Sequence, residues 1–315
     1  MTPLDLPAWG IPVWVGVMGL FVGSFLNVAI HRLPKPGQSV WSPRRSHCPS
    51  CGRQLTWSEN VPVLSWCLQV GRCRGCRGRI SPRYPLVELL NAGLWLWVLE
   101  ATPAGSWGLL SIRLTVVSAL LVATFVDFDC FEIPDEVSIG GMLLAPLCAL
   151  AVPALHQSTV LAQRFSADPA AGQGGVDRLG ALVGCLAGIA VGGGVLLAIG
   201  WIGKRVWGRD AMGLGDVKLL AAGGGFIGPG GALAALLIAS LAASLVGLAV
   251  MGGFFLRSQL RARSRGVRRP LARSVETARI AGRYLPFGPY LALGTGIALL
   301  HWDHVQHWLS AWTQM

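Results

Sequence analysis

The chain has 315 residues, 53% of them apolar and only 13% charged, with a formal net charge of +11. Apolar atoms cannot cover the whole exterior of a soluble domain of this length, so the composition excludes an ordinary water-dissolved protein. The basic charge does not point to nucleic acid, because all Lys and Arg except Arg113, Arg164 and Arg178 lie in three segments: Arg32 to Arg83, Lys204 to Lys218 and Arg257 to Arg283.

The apolar residues come in blocks about as long as a bilayer is thick, and a helical span needs roughly 20 residues. In chain order the blocks are Trp9 to Ile30, Leu86 to Leu99, Leu109 to Val126, Val137 to Val152, Leu179 to Ile202, Val217 to Ile227, Ala232 to Leu256 and Leu285 to Leu300. This pattern predicts an all-α, polytopic membrane bundle of about eight spans, or seven if the sixth and seventh blocks are one interrupted unit. Met1 to Gly10 contains Asp5 and no Lys or Arg, so the first block reads as a retained span rather than a cleaved signal peptide. With eight spans and an external N-terminus, the three basic segments share one side, which the positive-inside bias makes cytoplasmic.

The expected organisation is a first span (1–30), a polar cytoplasmic insertion (31–84) and a membrane bundle (85–315). The connection from His156 to Arg178 reads as flexible. Gly180, Gly184, Gly188 and Gly192 recur every four residues and line one helix face, a spacing that lets helix backbones approach closely in lipid. Asn27 is read as bonding to a neighbouring helix, and Glu88 as a partner for Arg83 or a residue that meets substrate; Asn91 is a further polar residue in a span.

Within the insertion, Cys48-Pro-Ser-Cys51 and Cys73-Arg-Gly-Cys76 form two Cys-x-x-Cys pairs. Four thiolates from two tight turns suit a closed, structural tetrahedral zinc site, favoured by neighbouring arginines and by a reducing cytoplasm. Thiol–disulfide exchange is the competing reading. Cys130, Cys148 and Cys185 read as small apolar residues.

Carboxylates at membrane depth are costly and usually functional. Asp127 ends the third block and Asp216 opens the sixth, after Gly213-Leu214-Gly215. The eight-span topology permits both to meet at the cytoplasmic face. Two carboxyls sharing a site cannot easily both ionise, so one serves as base and the other as proton donor in peptide hydrolysis. Taken singly, Asp127 also reads as an interfacial acid among Asp129, Glu132, Asp135 and Glu136, and Asp216 as a helix N-cap. An ion-coupled transporter is the rival from another class.

Together these residues resemble the bacterial type IV prepilin peptidase family. The resemblance rests on Gly23-Ser-Phe-Leu-Asn-Val-Ala-Ile-His-Arg-Leu-Pro34, the paired Cys motifs with Asn60-Val-Pro-Val-Leu-Ser-Trp66 between them, Ile80-Ser-Pro-Arg-Tyr-Pro-Leu-Val-Glu-Leu-Leu90, the Asp127 to Pro134 stretch, Gly213 to Leu220, and Pro286-Phe-Gly-Pro-Tyr-Leu-Ala-Leu293. It implies that Asp127 and Asp216 are the catalytic pair of an aspartic endopeptidase in the inner membrane. It further implies removal of the basic leader of prepilins or pseudopilins, then N-methylation of the new N-terminus with S-adenosylmethionine. No glycine-rich strand–turn–helix pattern marks a site for that cofactor.

Overall fold

The structure is a computed structural model of the chain and describes residues 9–35, 37–42, 46–166, 175–208, 212–264 and 286–313. Most of the Arg257–Arg283 segment and the middle of the His156–Arg178 connection, residues 265–285 and 167–174, lie outside the described residues.

Backbone groups in hydrocarbon must be satisfied within their own segment, and each apolar block accordingly falls on helix. The longer helices are α1 (Gly10–Arg32), α3 (Arg83–Glu100), α4 (Trp107–Cys130), α5 (Asp135–Ala151), α7 (Arg178–Trp207), α8 (Leu214–Ser264) and α9 (Gly288–Leu300). Among the described residues there are also the short helices α2 (Leu64–Leu68) and α6 (Val160–Phe165) and a later α10 (Trp302–Thr313). Four of them, α1, α4, α7 and α8, are long and apolar enough to cross a membrane, and α9 is a shorter apolar helix. Leu143, Leu147, Leu245 and Leu248 are 63–70% exposed, which only an apolar solvent accommodates in such numbers.

The sixth and seventh blocks are two helices, taken together as α8, that meet at a kink. At 51 residues α8 would be about 76 Å long if straight, more than twice the hydrocarbon thickness. The run breaks at Gly228 (φ 72°, ψ 176°), a conformation that glycine tolerates, and Pro229 follows.

The glycine stripe on α7 does pack closely. A Cβ at Gly188 would overlap the Gly224 carbonyl of α8, so these two backbones meet without side chains between them. Likewise α1 lies on α3, where a Cβ at Gly23 would come within 2.7 Å of the Glu88 Cα. Buried polar groups tie α1, α3 and α4 together. Asn91 donates to the Gly19 carbonyl (2.8 Å), Ser118 to Asn91 Oδ1 (2.9 Å), and Trp95 Nε1 to Ser118 Oγ (2.9 Å). Asn27 Nδ2 donates to the Tyr84 carbonyl at 3.0 Å, so Asn27 bridges helices as the sequence suggested, and Asn91 does so as well.

Candidate active site and metal centre

Asp127 sits in the last turn of α4, which ends at Phe131 in a left-handed conformation (φ 55°, ψ 32°) with its N–H returned to the Asp127 carbonyl at 3.0 Å. A left-handed aromatic residue is uncommon, and here it folds residues 131–134 back beside the helix end. The Asp127 side chain is 5% exposed, and its Oδ2 accepts the Gly288 N–H at 2.9 Å. Gly288 is the first residue of α9, so Asp127 satisfies a helix-start donor that lacks an intrahelical partner.

Asp216 lies in the first turn of α8 rather than at the cap position before it, and is half-buried. Gly215 packs on Ile133, where a Cβ would stand 3.4 Å from the Ile133 Cβ. This contact brings the α8 start against the segment folded back by Phe131. The two aspartates therefore line one cavity of about 470 Å³. The remaining walls come from Leu33 and Pro34 after α1, from residues 131–136, and from Gly213 and Lys218. Glu132, Asp135 and Glu136 make the cavity strongly acidic, and Lys218 bonds Asp135 at 2.7 Å.

Arg83 does not pair with Glu88. It bonds Asp129 (2.7 Å) and the Phe125 carbonyl (3.1 Å), with its guanidinium 4.9 Å from the centre of the Phe125 ring. Glu88 instead accepts the Val63 N–H at 2.7 Å, which fastens the insertion to α3. Sequence adjacency suggested the wrong partner, because Arg83 opens α3 and points across to α4.

The four predicted metal ligands do converge. Sγ atoms of Cys48, Cys51, Cys73 and Cys76 all lie within 4.8 Å of one another. The second turn repeats the first bond for bond. Cys48 N–H donates to Arg53 O and Gly52 N–H to Cys48 O; Cys73 N–H donates to Gly78 O and Arg77 N–H to Cys73 O, each at 2.9 Å. Isolated bridges His47–Gln54 and Arg72–Arg79 close the two turns. A tetrahedral ion with Zn–S distances near 2.3 Å requires sulfur separations of about 3.8 Å. Cys48 and Cys76 are 3.8 Å apart, so the donor set fits zinc. N–H groups of Cys76 and Gly75 hold the Cys73 thiol down at about 6, and the Arg53 guanidinium lies against it, conditions that favour a thiolate. Cys67 and Cys130 are exposed and stand outside the cluster, Cys148 is half-buried and Cys185 is buried.

A second cavity lies between the insertion and the facing ends of α1 and α3. Its walls include Ser24, Asn27, Trp66, Tyr84 and Glu88.

The bacterial peptidase A24 N-terminal domain family matches residues 17–101, and the type IV leader peptidase family matches residues 114–248, which contain both aspartates. The prepilin leader peptidase/N-methyltransferase of Aeromonas salmonicida is 33% identical over 341 residues, covering 98% of each chain. The chain belongs to the type IV leader peptidase family. A relative of the same printed name from Myxococcus xanthus is 37% identical over 261 residues, covering 80% of this chain and 67% of its own. Another, from Pseudomonas aeruginosa, is 32% identical over 319 residues, with 92% and 90% covered. No solved structure matches the chain. These family members lend no support to the oxidoreductase and transporter alternatives.

The cavity aspartates were legible from sequence as residues, but the Gly288 N–H was not singled out. The signals for it were Pro289 directly after Gly288, a pattern suited to a helix start, and the place of Gly288 in the Pro286 to Leu293 stretch of the resemblance.

Proposed function

We propose that this protein is a prepilin leader peptidase and N-methyltransferase of the inner membrane, with Asp127 and Asp216 as its catalytic pair. The observation that carries the reading is the pair itself: two carboxyls from helix ends 89 positions apart line one acidic cavity. Two adjacent carboxyls share a proton, so one draws a proton from water while the other donates to the developing oxyanion of the scissile carbonyl. The Gly288 N–H fixes the Asp127 rotamer for that work.

The acidic rim of Glu132, Asp135 and Glu136 suits a basic leader, and the position at helix ends suits a scissile bond at the membrane face. Positive-inside bias puts this face in the cytoplasm, with eight spans and an external N-terminus. Prepilins or pseudopilins are the substrates and the lipid bilayer is the surrounding partner. Zinc held by Cys48, Cys51, Cys73 and Cys76 orders the insertion. S-adenosylmethionine, when bound, supplies the methyl group for the new N-terminal amine.

Incubation of a prepilin with the purified protein and S-adenosylmethionine, followed by mass spectrometry, tests both activities. The expected product lacks its leader and carries one added methyl group. A prepilin that keeps its leader overturns the peptidase assignment, and a cleaved product without the methyl shift overturns the transferase.

A further inference from the structure

The second cavity holds a buried carboxylate that the peptidase chemistry does not use. Glu88 is 7% exposed, and its partners are neutral: the Val63 N–H at 2.7 Å and the Ser24 hydroxyl. A carboxylate taken out of water without a cation beside it is costly, and a cationic ligand offsets that cost. The arrangement is built at the expense of backbone strain. Val63 has φ 58° and ψ −52°, a tight three-residue turn closed by Leu64 N–H to Pro62 O at 2.5 Å. Such a conformation in a β-branched residue is rare and persists only where its surroundings enforce it. Its result is to aim the Val63 N–H at Glu88.

Aromatic rings complete the lining. Trp66 is oriented by its Nε1–H to the Ile80 carbonyl at 3.1 Å, and Tyr84 is fixed through its own carbonyl by Asn27. Carboxylates and aromatic faces are the groups that recognise a sulfonium, a cation with no N–H to donate. His31 and Arg32 also line the cavity on the α1 side, with Arg32 held by the Ser39 and Val40 carbonyls. The position is also right for a second step on the same substrate. His31 and Arg32 line this cavity while the next residues, Leu33 and Pro34, line the aspartate cavity. One turn of chain separates the two.

We infer that the cavity floored by Glu88 and walled by Trp66, Tyr84 and Asn27 binds the sulfonium methyl donor, with Glu88 as the counter-charge to its sulfur. This rests on S-adenosylmethionine being the donor, as proposed above. The new N-terminal amine enters from the aspartate side. Its nitrogen forms the N–CH₃ bond as the S–CH₃ bond breaks, the electron pair stays on sulfur as a neutral thioether, and the surplus amine proton leaves to water.

Two non-reacting probes separate charge from shape: sinefungin, with an amine cation where the donor has its sulfonium, and the neutral S-adenosylhomocysteine. Calorimetry on the full-length protein in detergent is expected to show sinefungin binding more tightly, and Glu88→Gln to weaken sinefungin by about tenfold or more while closing the gap between the probes. Photolabelling of the unmodified protein with 8-azido-S-adenosylmethionine supplies a readout independent of any variant, with label expected on peptides containing Trp66 or Tyr84. An unchanged preference in Glu88→Gln, or label confined to residues 127–136 and 213–218, overturns the assignment of this cavity and leaves the donor itself standing. Absence of binding of either probe to a wild-type protein that still removes the leader overturns the donor reading as well.

Discussion

The N–H of Gly288 donates to Oδ2 of Asp127 at 2.9 Å, joining the start of α9 to the end of α4 across 161 positions of sequence. A Cβ at Gly288 would stand 2.5 Å from that same oxygen, so the position admits no side chain while the carboxylate keeps its place. Gly288→Ala is expected to lower the rate of leader removal by about 10²-fold, the usual consequence of displacing a catalytic group by an ångström. Gel-based cleavage of a prepilin in mixed micelles measures it, and full activity in the variant contradicts the positioning role.

Asp127→Asn and Asp216→Asn are each expected to reduce cleavage by about 10³-fold or more. On the proposed reading the two carboxyls act as a unit, so the double variant should be scarcely worse than either single one. Multiplying losses in the double variant would mean that they contribute separately.

Metal removal has a local expectation. Chelation of zinc should raise amide exchange at Cys48 and Cys73, whose N–H groups bond within the two turns, by about 100-fold or more, because the ligand cluster supplies most of the order there. Exchange in α4 around Val122 and Val126 should stay unchanged. One zinc per chain is the expected stoichiometry in elemental analysis.

Acid acts on the insertion through Glu59. The Thr56 N–H first, then the Thr56 hydroxyl and the Arg53 guanidinium, hold its carboxyl at about 2 against a usual 4.5. A depressed carboxyl stabilises the fold above its unfolded value and loses that contribution as pH falls from about 4.5 towards 2. The stability difference between wild type and Glu59→Gln should therefore be full at pH 7 and shrink through that window. Urea titrations followed by Trp57 and Trp66 fluorescence read it, and a constant difference down to pH 3 refutes the linkage.

Much of this was legible before any coordinates. Each Cys pair is a local turn, so spacing alone indicates a ligand set. Apolar block length indicates helices, because hydrocarbon leaves the backbone few other choices. The meeting of Asp127 and Asp216 was a different kind of fact. It depends on Phe131 turning left-handed and on Gly215 seating against Ile133, neither of which has a periodic signature. Glu88 was assigned to Arg83 by proximity in sequence, and its true partner, the Val63 N–H, became available only through a strained turn that no propensity predicts. Gly288 carries no side chain, so its contribution to the site was invisible in residue chemistry.

The break at Gly228 also acts as a ruler. Thr159 crowds it from one side and the α7 contact at Gly224 holds the arm just before it, so its depth in the bundle is set by packing. From that fixed point the helix runs back to Asp216, about 18 Å at 1.5 Å per residue. The height of the carboxylate above the membrane is thus counted in residues between 216 and 228. Adding or removing one of them would move Asp216 by about 1.5 Å and swing it by about 100° around the helix axis, away from Asp127. Substitutions that keep the count preserve the register; changes in length do not.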